Sequence, residues 1–163
     1  MKKMMEMEMI ESADFMKIAK KEALISKKEG EIPVGCVIVK DGKILAKAHN
    51  LKQKLKNPIA HAEILAINKA TKKLGDWRLN GCEMYVTLEP CPMCAAAIVQ
   101  SRILRVHIGT FNKDMGACGS VINITDSREL NSFVDVKWEY DKECSDIMTE
   151  FFNDRRKIHN IDK

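Results

Sequence analysis

Residues 83–109, EMYVTLEPCPMCAAAIVQSRILRVHIG, decide the architecture. EMYVTL and RVHIG are short runs rich in apolar and β-branched residues, as strands are, and CPMCAAAIVQS between them has helical length and composition. Strand, helix and strand in that order make a βαβ unit, which places the chain in the α/β class.

Working outward, the pattern upstream is helix, strand, strand, helix. Residues 12–28 carry Phe15, Ile18, Ala19 and Ala23 at the spacing of one helical face. PVGCVIV and KILAKA flank the turn signal Asp41-Gly42 and read as a β-hairpin. A polar loop, 50–57, leads to a helix from about Ile59 to Leu74, which Gly75 ends. Downstream, FVDVKWEY (133–140) is a fifth strand and KECSDIMTEFFNDRRK (142–157) a terminal helix. The order α-β-β-α-β-α-β-β-α predicts a three-layer α/β/α sandwich with a mixed five-stranded sheet. Fully apolar strands such as VIV and YVTL imply helices on both faces. With no repeat, low-complexity tract or Pro/Gly/Ser-rich linker, residues 1–163 are expected to form a single domain.

Composition narrows the function classes. A chain of 163 residues, 45 % apolar and 31 % charged, is long enough to bury a core without disulfides. MKKMMEMEMI interleaves Lys and Glu with Met, unlike a signal peptide, and no later run could span a bilayer, so a cytoplasmic protein is expected. In that setting six cysteines argue for thiols or metal ligands. The net charge of +4 is far from that of a strongly basic nucleic-acid binder. Basic residues nonetheless cluster at Lys52, Lys54 and Lys56, at Arg102 and Arg105, and at Arg155, Arg156 and Lys157; each cluster reads first as a solvated face and second as a phosphate grip.

The chemistry lies at two helix starts. NPIAHAEILA (57–66) opens one helix with His61 and Glu63, and Pro90-Cys91-Pro92-Met93-Cys94 opens the next directly after a strand. Two helix N-termini leaving one sheet edge can point at one spot. One imidazole and two thiolates, His61, Cys91 and Cys94, suit Zn2+ by softness and count, and three protein ligands leave a fourth tetrahedral position open. The partial positive charge of a helix N-terminus favours the thiolates, and the prolines fit a helix entrance. Residues i and i+2 do not share a helix face, so His61 and Glu63 meet at one zinc only if one lies in an irregular first turn or Glu63 reaches past the metal. A lone CxxC also fits a redox pair. A structural zinc site would recruit a fourth ligand from Cys36, Cys82, Cys118 or Cys144, each of which reads more simply as a small core residue. H-x-E paired with P-C-x-x-C, however, is the signature of zinc nucleobase deaminases, in which the Glu is a general acid and base and not a ligand.

On EIPVGCVIV, HN (49–50), NPIAHAEILAI, MYVTLEPCPMCAAAIVQSRI, GACGS and FFNDRR, the chain resembles the bacterial tRNA-specific adenosine deaminases of the cytidine deaminase-like superfamily. The likeness covers nearly the whole length. It implies hydrolysis of adenosine to inosine at the wobble position of a tRNA, typically an arginine tRNA, by a homodimer holding one Zn2+ per subunit. It implies that His61, Cys91 and Cys94 hold the metal, that Glu63 shuttles protons, and that Asn50 hydrogen-bonds the target base. Phe151, Phe152, Arg155 and Arg156 stand on a terminal helix that borders the RNA site in that family. An i, i+4 stripe of Ile147, Met148, Phe151 and Phe152 also suits core packing, so one Phe is expected inside and the other against a nucleotide. One residue departs from the family pattern. Asn112, in GTFNKDMGACGS, stands where an aspartate near the substrate ribose is common, and its other reading is a turn cap. Two rivals remain, a deaminase of a free nucleobase or nucleoside such as guanine or cytosine, and a zinc-stabilised RNA-binding module without activity.

Overall fold

The computed structural model describes residues 12–161; the leading MKKMMEMEMI lies outside the described residues. The elements are α1 (Ser12–Lys28), β1 (Gly35–Lys40), β2 (Lys43–His49), α2 (Ala62–Leu74), β3 (Cys82–Leu88), α3 (Pro92–Gln100), β4 (Arg105–Thr110), β5 (Asp126–Ser127), β6 (Ser132–Phe133), β7 (Asp135–Trp138) and α4 (Lys142–Ile161). Strand order in the main sheet is β2-β1-β3-β4-β7. β1 runs antiparallel to β2 and β3, whereas β4 runs parallel to β3 and β7, so the sheet is mixed, and β3-α3-β4 is the βαβ unit.

Alternation along the strands gives the sheet two buried faces. Cys36, Ile38, Met84, Val86, Val106 and Ile108 face Ala62, Ala66 and Ala70 of α2 and Ala95 and Ile98 of α3. Val37, Val39 and Tyr85 face Phe15, Met16 and Ala19 of α1 and Cys144 of α4. Alanines at i, i+4 spacing let α2 lie close to the strands. On the other face a Cβ at Gly35 would overlap the Ala19 carbonyl, so β1 touches α1 only because that residue is glycine. The result is the three-layer sandwich.

Three boundaries differ from expectation. The helix expected from about Ile59 begins at Ala62, because residues 57–60 form a turn in which Asn57 Oδ1 accepts the Ile59 N–H at 3.0 Å. The fifth strand is divided. Ser132–Phe133 pairs with Asp126–Ser127 in a small hairpin turned at Asn131 (φ 50°), and only Asp135–Trp138 joins the main sheet. The terminal helix runs on to Ile161. Gly75 (φ 74°) ends α2 as its position suggests, its N–H bonded to the Thr71 carbonyl at 2.9 Å.

Candidate metal centre and substrate cavity

The carboxyl ends of parallel strands are where open α/β sheets bind ligands, and the chemistry gathers beyond the end of β3. Because α2 and α3 pack on the same face, their first residues meet. His61 caps α2 in extended backbone (φ −78°, ψ 152°) and Cys91 caps α3 likewise (φ −70°, ψ 171°), with Pro92 as the first helical residue. His61 Nδ1 lies 3.6 Å from Cys91 Sγ and 3.5 Å from Cys94 Sγ. One donor atom from each of the three residues falls within 4.8 Å of the others.

These distances test the fit of a metal. Zn–S of about 2.3 Å and Zn–N of about 2.0–2.1 Å in a tetrahedron set S and N roughly 3.5 Å apart. The donor triangle therefore has the size and softness that Zn2+ requires. The same atoms compete with one another for protons. The Cys91 thiol is held well below its ordinary range, chiefly by hydrogen bonding from Cys94 and then from His61, while Cys94 is pushed up by Cys91 and by burial. A divalent cation takes the place of those protons and allows both sulfurs to be thiolates.

Glu63 is outside this donor group. It is 4 % exposed, and burial raises its carboxyl to about 7. The i, i+2 spacing is accommodated because His61 precedes the helix and Glu63 is its second residue, so the two do not follow one helical screw. Cys36, Cys82, Cys118 and Cys144 are buried free thiols, and none belongs to the donor group. The fourth-ligand reading has no residue to supply it among the described residues.

A cavity of about 230 Å³ opens beside the donors, lined by Asn50, His61, Glu63, Glu89, Cys91 and Asn112 together with apolar Ile32, Val34, Leu88 and Met115. Asn50 is buried in its wall. Its Nδ2 donates to the Ile32 carbonyl at 3.2 Å and its Oδ1 accepts the Lys52 N–H at 3.2 Å, which leaves one N–H and one lone pair for a base. Asn112 caps a turn as well as lining the cavity, its Oδ1 accepting the N–H groups of Asp114 (3.3 Å) and Met115 (3.0 Å).

Glu89 escaped the sequence reading. It is 1 % exposed, and its carboxylate accepts N–H bonds from Asn112 (3.2 Å), Cys118 (3.0 Å) and Ser120 (3.2 Å), so the loop that walls the cavity is wrapped around it. The available signal was a carboxylate between an apolar strand and a ligand-bearing helix start, a place with no solvated face. Glu89→Gln should cost about 1.5–3 kcal/mol, the range for hydrogen bonds to a charged group, and raise the KM for substrate with zinc content unchanged. Denaturant melts and kinetics on the same preparation check this; an unaltered melt and KM would leave the loop anchored by other means.

Farther out, Phe151 is buried and Phe152 is 43 % exposed. The Arg155 guanidinium lies 4.9 Å from the Phe151 ring centroid and donates to the Gly30 carbonyl at 2.6 Å. Arg156 donates to the Phe152 carbonyl at 3.4 Å and to Asn153 Oδ1 at 3.2 Å. An open groove of about 620 Å³ runs between Phe152, Arg155, Arg156, His159 and Asp114, linking α4 to the loop over the cavity. Lys52 lines the cavity, but Lys54 pairs with Glu29 at 3.1 Å. Arg105 starts β4, at the far end of the sheet, and is paired with Asp135 at 2.6 Å. The basic clusters thus do not converge on one site.

The cytidine and deoxycytidylate deaminase zinc-binding region matches residues 9–110. The tRNA-specific adenosine deaminase of Aquifex aeolicus (strain VF5) is 49 % identical over 148 residues, 90 % of this chain and 95 % of that protein. A solved chain from studies of A-to-I editing by tRNA:A34 deaminases at the wobble position of transfer RNA is 38 % identical with a TM-score of 0.80, covering 83 % of this chain and 99 % of its own. Guanine deaminase from Bacillus subtilis is 32 % identical with a TM-score of 0.61, covering 72 % of this chain and 86 % of its own.

Proposed function

The chain belongs to the tRNA-specific adenosine deaminases, in the zinc-dependent cytidine and deoxycytidylate deaminase superfamily, and from that membership we propose that it converts adenosine to inosine at the wobble position of a tRNA anticodon. The observation that carries the reading is the donor triangle of His61, Cys91 and Cys94 with Glu63 buried beside it and outside it. When bound, Zn2+ supplies Lewis acidity that brings the pKa of water towards ~7. Glu63 takes one proton of the attacking water and passes it to the ring nitrogen as oxygen bonds C6, then takes the second from the resulting C6 hydroxyl and delivers it to the departing amine, so that adenosine and water become inosine and ammonia. Asp at this position would fall short, and Gln could not carry the proton. Asn50 orients the base with its spare N–H and lone pair. Asn112 meets the sugar, and Phe152, Arg155 and Arg156 meet the strand, while Phe151 supports Arg155 from within.

The reading extends to residues 1–163 as one deaminase domain, to an arginine tRNA, to a homodimer and to the cytoplasm; the family resemblance supports these. Exposed Val121, Ile122, Leu130 and Phe133 offer apolar surface for a second copy. Among the described residues no helix is long and apolar enough to cross a membrane. The likeness to guanine deaminase sustains the alternative of a free-base substrate. Incubating the zinc-loaded protein with an anticodon stem-loop and, separately, with free bases separates the two. Inosine in the stem-loop is the expected product; robust turnover of a free base with an untouched stem-loop would overturn the assignment.

Two further results are expected. Replacing Arg155 and Arg156 with Ala should raise the stem-loop KM and flatten its salt dependence, since fewer counterions are released from phosphate, with zinc content unchanged. An unaltered KM would remove α4 from the RNA contact. Asn112→Asp keeps an acceptor for the turn N–H groups of Asp114 and Met115 and adds a charge that rewards a 2′-OH. A hydrogen bond is worth roughly 0.5–1.5 kcal/mol, or up to about 3 with a charged partner, so the RNA-to-DNA ratio of kcat/KM should rise by about one to two orders of magnitude. Equal RNA-to-DNA ratios for the parent and the variant, on stem-loops of one sequence, would leave Asn112 as a turn cap alone.

A further inference from the structure

We propose that Phe111 and Tyr140, seated on Trp138, form a stacking subsite for an unpaired base that neighbours the target adenosine on the same RNA strand. The subsite rests on the polynucleotide reading above and adds a recognition element to it. Phe111 follows the last residue of β4, and Trp138, the last residue of β7, is in register with Ile108 of β4. The Phe111 ring centroid lies 4.6 Å from that of Trp138 and 5.7 Å from that of Tyr140. Trp138 packs partly against the main core, and a Cβ at Gly119 would lie 3.9 Å from its ring, so the base of the cluster is held between the sheet and the loop that walls the cavity. The two outer rings are open, Phe111 by 43 % and Tyr140 by 69 %.

The exposure has a backbone cost behind it. Tyr140 has φ 50°, a conformation that Gly or Asn adopts far more readily than an aromatic residue. It is clamped there on both sides, by the Glu139 N–H on the Ile108 carbonyl (2.9 Å) and the Asp141 N–H on the Gly109 carbonyl (2.8 Å). An outlier held this firmly, with its ring in solvent, points to use of the ring.

Position selects the occupant. Phe111 directly precedes Asn112, a residue that lines the cavity, and exposed Lys113 follows. A strand whose adenosine enters the cavity has this rim, next to Asn112, within reach of a flanking nucleotide. Glu139 is engaged by His107 at 2.8 Å and Asp141 by Lys20 at 2.9 Å, while exposed Lys113 and Asp114 stand side by side, so the rim offers π-faces beside a pair of opposite charges. Every base has a face that stacks on such rings. Two exposed rings fall well short of the ≈ 800 Å² per partner that a stable protein interface buries, which argues against a second copy as the occupant.

The test uses stem-loops carrying 2-aminopurine at each position flanking the target, one at a time. Binding is followed by fluorescence in a Glu63→Ala background, and KM is measured on the unlabelled stem-loop with Glu63 intact. One flanking position should be quenched on binding. Tyr140→Ala should abolish that quench and raise KM about tenfold, with kcat and zinc content within twofold; Tyr140→Phe should retain both quench and KM, and Phe111→Ala should weaken them. Quenching at no flanking position, or an unchanged KM in both Ala variants, overturns the subsite. So does a change of oligomeric state in Tyr140→Ala with the quench intact, which would assign the rings to a contact between copies. If the parent protein turns over the stem-loop without any quench, the subsite alone fails; if it turns over only free bases, the tRNA reading fails with it.

Discussion

Cys91→Ala is expected to take the zinc content from about one per chain to near zero and to abolish deamination. Two donors remain, His61 and Cys94, one fewer than the three protein ligands of an open zinc site. The fold should persist, because Ala62, Ala66, Ala95 and Ile98 still bury against the sheet. Stability should fall all the same, since a metal shared by the starts of α2 and α3 contributes its binding free energy to folding. Elemental analysis beside a thermal melt measures both effects. Full occupancy in the variant would move the metal away from His61, Cys91 and Cys94.

Glu63→Ala separates proton transfer from metal binding. Zinc content and the melt should match the parent, while kcat falls by at least the ~10² to 10⁴ typical of general acid–base catalysis. The expectation follows from the place of Glu63, buried in the cavity wall and outside the donor group. Loss of zinc in this variant would make the carboxylate a ligand and end the proposed proton route. Glu63→Gln, which keeps the shape and removes the titratable oxygen, should fall as far.

Much of this was legible along the chain because it is local. The stop of α2 at Gly75, the hairpin at Asp41-Gly42 and the βαβ order around CPMCAAAIVQS follow from backbone preference and periodicity within a few residues. The paired H-x-E and P-C-x-x-C marked the three residues of the donor group and the carboxylate buried beside it, as a softness-matched ligand set must be written in side-chain identity. The division of 133–140 was not legible, because it depends on the Val134 N–H bonding to the Thr125 carbonyl at 2.8 Å, a partner across the small hairpin and outside any strand periodicity.

By itself, then, the sequence determined the order of the helices and main-sheet strands, the three residues of the candidate donor group and the carboxylate beside them. Helix caps and apolar period act over one or two turns, and metal chemistry selects atom types. Only the tertiary structure decided that two caps bring an imidazole within 3.6 Å of two sulfurs, that Glu89 holds the cavity wall by three N–H bonds, that Phe151 turns inward while Phe152 stays out, and that Arg105 is spent on Asp135. Those outcomes depend on how α2, α3 and α4 seat against the sheet. Packing between segments far apart in the chain sets such distances, and no local preference encodes them.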